Sequence, residues 1–105
     1  MTTATYAGQS IEVDEEGYLT NPAQWNRAIA EAIAKEAGLG ALTDSHWKVI
    51  EFCRKDATEK GEAPGLRRIA KQSGVDMKTL YQLFPQGPGK LASKVSGLAK
   101  PKSCI

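Results

Sequence analysis

Cysteine and histidine are almost missing from this chain of 105 residues, which holds two of the first, Cys53 and Cys104, and one of the second, His46. Two cysteines are too few for a disulfide scaffold or an all-cysteine zinc site, and a single histidine excludes a zinc finger of two cysteines and two histidines. A lone histidine also leaves little room for triad or metal-hydrolase chemistry. No apolar stretch approaches the ~18 residues of a membrane span, so a membrane-spanning protein is excluded. Residues 1–9 carry neither a basic residue nor a long apolar run; no secretory signal is read there, and the expected location is the cytoplasm. What is present is the composition of a globular protein, 41% hydrophobic and 25% charged, at a length that closes one core. Residues 1–105 are therefore read as a single domain.

The net charge of +2 conceals an uneven distribution. Residues 1–63 hold six basic and eleven acidic side chains, and residues 64–105 hold eight basic ones against Asp76 alone, so the halves carry −5 and +7. Such an imbalance fits either an anionic partner on the basic half or an unevenly charged solvated surface.

Local signals divide the chain into a β-hairpin region in 1–20, a bundle of about five helices in 21–96 and a flexible arm in 97–105. Within the hairpin region, short β-type runs flank a Gly8-Gln9 turn on both sides, with Ile11 and Val13 alternating with polar neighbours, and a second turn follows at Asp14-Glu15-Glu16-Gly17. Asn21-Pro22 reads as the start of a first helix whose stripe is Trp25, Ile29, Ala32 and Ile33 and whose end is Gly38. Thr43 caps a second, with Trp47, Ile50, Cys53 and Ala57 on its apolar side and an end near Gly61. Cys53 is thus expected to be a small buried hydrophobe, and His46, in the first turn, a surface or capping residue. Three short helices follow, Gly65 to Ser73, Asp76 to Phe84 and Pro88 to Ser96, separated by Gly74, Pro85 and Gly97. The expected architecture is a small, mostly α, orthogonal bundle with an N-terminal hairpin.

Two constellations compete for the function. The segment from Leu66 to Phe84 has an Ile69-Ala70 pair, a Gly74 turn over Val75, and Leu80-Tyr81 on the next helix, a helix-turn-helix pattern that resembles the DNA-binding segment of TetR-type repressors. Its candidate groove residues are Asp76, Lys78, Thr79 and Gln82, and Asp76 would bring an acid close to phosphate. With no dimerising segment, direct nucleic-acid binding is expected to be weak. The second constellation is Cys104 on its basic arm. Ten residues from Ser96 span up to ~33 Å, enough to deliver a thiol into another protein's active site. Pro101 favours an extended path there; Lys100 and Lys102 favour the thiolate while the terminal carboxylate of Ile105 opposes it, so the two effects leave the net sign open.

The run Tyr81-Gln82-Leu83-Phe84-Pro85-Gln86-Gly87-Pro88-Gly89-Lys90, followed by Ser96-Gly97-Leu98-Ala99-Lys100-Pro101-Lys102-Ser103-Cys104-Ile105, resembles the C-terminal signature of the TusE/DsrC sulfur-carrier family. Gly8, Val13 to Leu19, Trp25, His46-Trp47, Ala63-Pro64, Arg67 and Lys71 extend the resemblance over nearly the whole chain. It implies a mostly helical fold in which the helix-turn-helix look is a family feature, and Cys104 as the residue that carries sulfur as a persulfide. Members that act with dissimilatory sulfite reductase have a second cysteine eleven positions before the last, where this chain has Ser93. The absence of that thiol favours a one-cysteine, TusE-type relay towards 2-thiouridine in tRNA, or a related trafficking route. Ala99 replaces the family's usual proline, which loosens the arm slightly. The implied partners are sulfurtransferase donors and acceptors, either a tRNA-thiolating enzyme or a sulfite reductase, met by Arg67, Lys71 and Lys100. No membrane, metal or cofactor is expected to take part, because thiol exchange needs none. The expected role is that of a carrier rather than a stand-alone enzyme. Its alternatives are a DsrC-type partner of dissimilatory sulfite reductase and a helix-turn-helix regulator.

Overall fold

A computed structural model describes residues 2–101; Met1 and residues 102–105, Cys104 among them, lie outside the described residues. The chain opens on an antiparallel hairpin of β1 (Thr2–Tyr6) and β2 (Gln9–Val13), in which Tyr6 pairs with Gln9. The loop is therefore Ala7-Gly8, one position earlier than expected. Both residues have positive φ, 52° and 76°, as a two-residue hairpin turn matched to strand twist demands. Glycine takes that conformation freely, whereas Ala7 carries a Cβ into it at a cost of about 1 kcal/mol. Ala7→Asn should raise stability by about 0.5–1 kcal/mol, because Asn-Gly is the preferred pair here. Urea unfolding checks this, and a midpoint that does not rise would show that Ala7 is unstrained. Ile11 and Val13 face inward and are buried, which the alternation of β2 anticipates.

The single first helix expected from Asn21 is broken in two. Asn21 does cap a short 3-10 turn, Pro22–Gln24, but Trp25 is extended (ψ 144°), and Asn26 caps α1 (Arg27–Glu36) afresh by accepting from the Ile29 amide at 3.0 Å. Trp25 leaves the helical path because its indole is taken by a distant carbonyl, as described below. The buried stripe of α1 is Ile29, Ala30, Ile33 and Ala34, with Ala32 only half buried.

Thr43 caps α2 (Asp44–Lys60), which stops at the left-handed Gly61. Its buried side is rotated from the expected stripe: His46, Val49, Ile50, Cys53 and Asp56 point inward, while Trp47 and Ala57 are half exposed. Two polar residues cause the rotation. The Nδ1 of His46 accepts the Thr43 amide at 3.0 Å, so the proton resides on Nε2, which donates to the Leu83 carbonyl at 3.1 Å. Asp56 receives Arg68 through both oxygens, at 2.8 and 2.6 Å, and this hydrogen bonding holds its carboxyl below the usual range. His46 is thus a cap, as expected, yet buried rather than on the surface.

Helices α3 (Leu66–Gln72), α4 (Met77–Leu83) and α5 (Pro88–Val95) complete five α-helices among the described residues. The Arg68–Asp56 pair fastens α3 to α2, and His46 fastens α2 to the end of α4. Helix α5 packs against all four others. Its small residues Gly89, Ala92 and Ser93, all buried, permit that close approach. No helix among the described residues is long and apolar enough to cross a membrane.

Candidate functional site at the end of α5

Ser93 lies in the last turn of the central helix with 0% exposure, and its hydroxyl has no hydrogen-bond partner. An orphaned buried hydroxyl costs about 1–3 kcal/mol. Ser93→Ala should therefore stabilise the fold by about 1 kcal/mol in denaturant titration, helped by the better helix propensity of alanine. A loss of stability would mean that the hydroxyl is satisfied after all.

The C-terminus of α5 is closed by four carbonyls, each with its own donor. Gly97, with φ 71°, turns the chain so that the Leu98 amide reaches the Ser93 carbonyl at 3.0 Å and the Gly97 amide reaches that of Lys94 at 3.1 Å. The Val95 carbonyl accepts the Trp25 indole N–H at 2.8 Å, and the Ser96 carbonyl accepts Nη1 of Arg54 at 2.8 Å. Arg54 also stacks 4.1 Å over the Trp25 ring and donates from Nη2 to the Pro22 carbonyl at 3.3 Å. Burial lowers the pKa of its guanidinium. The other side of Gly97 is walled by Trp25: a Cβ at position 97 would lie 2.4 Å from its Cδ1.

The expected arm is not free from its first residue. Leu98 is 6% exposed and Pro101 is buried, so apolar burial holds the start of the segment on the body. Lys100 reaches back to Glu16 in the turn after β2, at 3.1 Å, in an exposed ion pair of small energetic weight. Arg67 and Lys71 lie one turn apart on the exposed side of α3. The three expected partner-binding residues thus stand on separate elements: two on α3, the third drawn towards the hairpin.

Cys53 is fully buried on α2, and burial pushes its thiol up to about 12, an effect the neighbouring Ser96 hydroxyl only partly offsets. Among the described residues no group of three or more His, Cys, Asp or Glu gathers as metal ligands. Arg54 escapes sequence reasoning because its partners are carbonyls 32 and 42 positions away, which leave no local spacing to detect.

The chain that carries this helix end has known relatives. The family model described as DsrC like protein matches residues 5–105. The chain belongs to the DsrC-like family. It is 38% identical to the dissimilatory-type sulfite reductase subunit gamma of Nitratidesulfovibrio vulgaris over 100% of both chains. It is also 40% identical to the sulfurtransferase TusE of Photorhabdus laumondii, over 95% of this chain and 96% of that one. The NMR structure of Allochromatium vinosum DsrC superposes with a TM-score of 0.83 at 38% identity, covering 98% of this chain and 97% of the other. The hairpin and the five helices are therefore the DsrC-like fold.

Proposed function

We propose that this protein carries sulfur as a persulfide on Cys104 and passes it between thiol proteins. Sulfur carriage is the function its family membership supports, through relatives named as a sulfurtransferase and as a sulfite reductase subunit. The observation that carries the residue assignment is the sealing of Cys53: of the two cysteines, it has 0% exposure and a thiol raised to about 12, which leaves Cys104 for exchange. In the loading step the Cys104 thiolate attacks the outer sulfur of a donor persulfide. A new S–S bond forms at Cys104, the donor's S–S bond breaks, and the donor sulfur leaves as a thiolate. An acceptor thiolate removes the outer sulfur in the same way. Sulfur is conserved at each step and no external oxidant or reductant is consumed.

Ser93 supports a one-thiol relay over a chemistry that needs an internal disulfide, since a hydroxyl cannot form one. Arg67, Lys71 and Lys100 supply cationic contacts for donor and acceptor proteins, in either a tRNA-thiolating or a sulfite-reducing pathway. DNA binding by α3 and α4 is disfavoured by Asp76. Its carboxylate caps α4 by accepting the Thr79 amide at 2.8 Å, and hydrogen bonding from the Thr79 hydroxyl, with that amide, keeps its pKa low, so a negative charge stands where a phosphate would approach. Intact-mass measurement after incubation with a persulfide donor tests the proposal. The chain should gain one sulfur, and Cys104→Ser none.

A further inference from the structure

A thiol beyond the end of a helix is aimed only as well as that end is held. Of the four carbonyls that close α5, those of Ser93 and Lys94 are satisfied locally, as they would be in any helix ending on glycine. Those of Val95 and Ser96 are satisfied from 70 and 42 positions away, by Trp25 and Arg54. We propose that Arg54, lying over Trp25, is a positioning residue for sulfur transfer: it sets the direction in which residues 97–101 leave α5 and so where Cys104 is presented to a partner. The proposal rests on Cys104 as the carrier.

Three features support this role. First, the guanidinium makes three different contacts at once, with the Ser96 carbonyl, the Pro22 carbonyl and the face of Trp25. A planar fork can do this, whereas a lysine ammonium has no plane to stack and no rigid pair of donors. Second, the helix end is already capped by Gly97, and a half-buried cation is not needed to finish it. What Arg54 adds is a tie from the end of α5 to α2 and to the 3-10 turn. Third, the geometry has leverage. Five residue steps from Ser96 to Pro101 span up to ~17 Å, so a change of about 20° at Ser96 displaces Pro101 by at most about 6 Å. Errors near 1 Å already slow reactions that depend on aligned groups.

Two readouts test it. Nitroxides on Ala99→Cys and Glu31→Cys, both exposed positions, in a Cys53→Ala and Cys104→Ser background report the exit direction without sulfur chemistry. Adding Arg54→Lys, which keeps the charge and loses the fork, should shift or widen the measured distance distribution by several ångströms. Trp25→Phe, which keeps the wall against Gly97 and removes the Val95 bond, serves if Arg54→Lys does not fold. In the chain with both native cysteines, the rate of loading from a persulfide-loaded rhodanese is compared with that from inorganic polysulfide, which needs no docking. The ratio should fall about tenfold in Arg54→Lys. A folded variant with an unchanged distance distribution, or a shifted distribution with an unchanged ratio, overturns the proposal. Sulfur loading that persists in Cys104→Ser would instead overturn the carrier assignment and leave the distance result standing.

Discussion

Cys104→Ser abolishes the gain of sulfur on exposure to a persulfide donor, and Cys53→Ala leaves it intact; that is the expected result. Burial separates the thiols in two ways. With its pKa raised to about 12, Cys53 is ionised at pH 8 in about one molecule in ten thousand, whereas an ordinary thiol near ~8.5 is ionised in about a quarter. The thiolate is the nucleophile, so ionisation alone slows Cys53 by roughly two-thousandfold. Its 0% exposure excludes the donor as well. Alanine is the right replacement at 53, because a serine hydroxyl would bring an extra polar group into an apolar pocket. The measurement is intact mass before and after a reductant, with alkylation of the native protein at pH 8 as a check: one label per chain, lost in Cys104→Ser. Equal labelling of both cysteines in the folded state, or sulfur retained in Cys104→Ser, would overturn the assignment.

Gly97→Ala should be the most damaging single methyl among the described residues. Its φ of 71° costs any residue with a Cβ about 1 kcal/mol, and the new Cβ meets Trp25 Cδ1 at 2.4 Å and Cγ at 2.6 Å. Trp25 cannot retreat without giving up its bond to Val95 and its stacking under Arg54. Overpacking of this kind adds about 1–3 kcal/mol, for a total of about 2–4 kcal/mol, which lowers the melting temperature of a domain this size by at least ~10 °C. Gly74→Ala is the control. Its φ of 84° is similar, but the new Cβ meets only the end of the Lys48 side chain, at 3.0 Å, which can swing away. The excess of the first loss over the second measures the Trp25 wall. Equal losses at the two positions would mean that the wall yields freely and that the exit from α5 is not rigidly set.

Most of the secondary structure was legible because its causes lie within a few residues. The alternation of Ile11 and Val13, the caps at Asn21 and Thr43, and the stops at Gly38, Gly61 and Gly97 depend on neighbours at most five positions away. Cys53 was readable as buried from helical period alone, and the motif ending in Cys104 identified the family without any coordinates. Two kinds of feature were not readable. The break at Trp25 runs against a good local start for a continuous helix, and it exists because the indole N–H finds the Val95 carbonyl. The burial of His46 and Asp56, which turns the inner face of α2 away from Trp47, exists because the Leu83 carbonyl accepts from the first and Arg68 neutralises the second. Periodicity records which positions are apolar on average; it carries no information about a polar group whose partner arrives from a distant stretch of the chain. Only the assembled core brings such partners together: the Leu83 carbonyl to His46, Arg68 to Asp56, and Trp25 and Arg54 to the carbonyls that end α5.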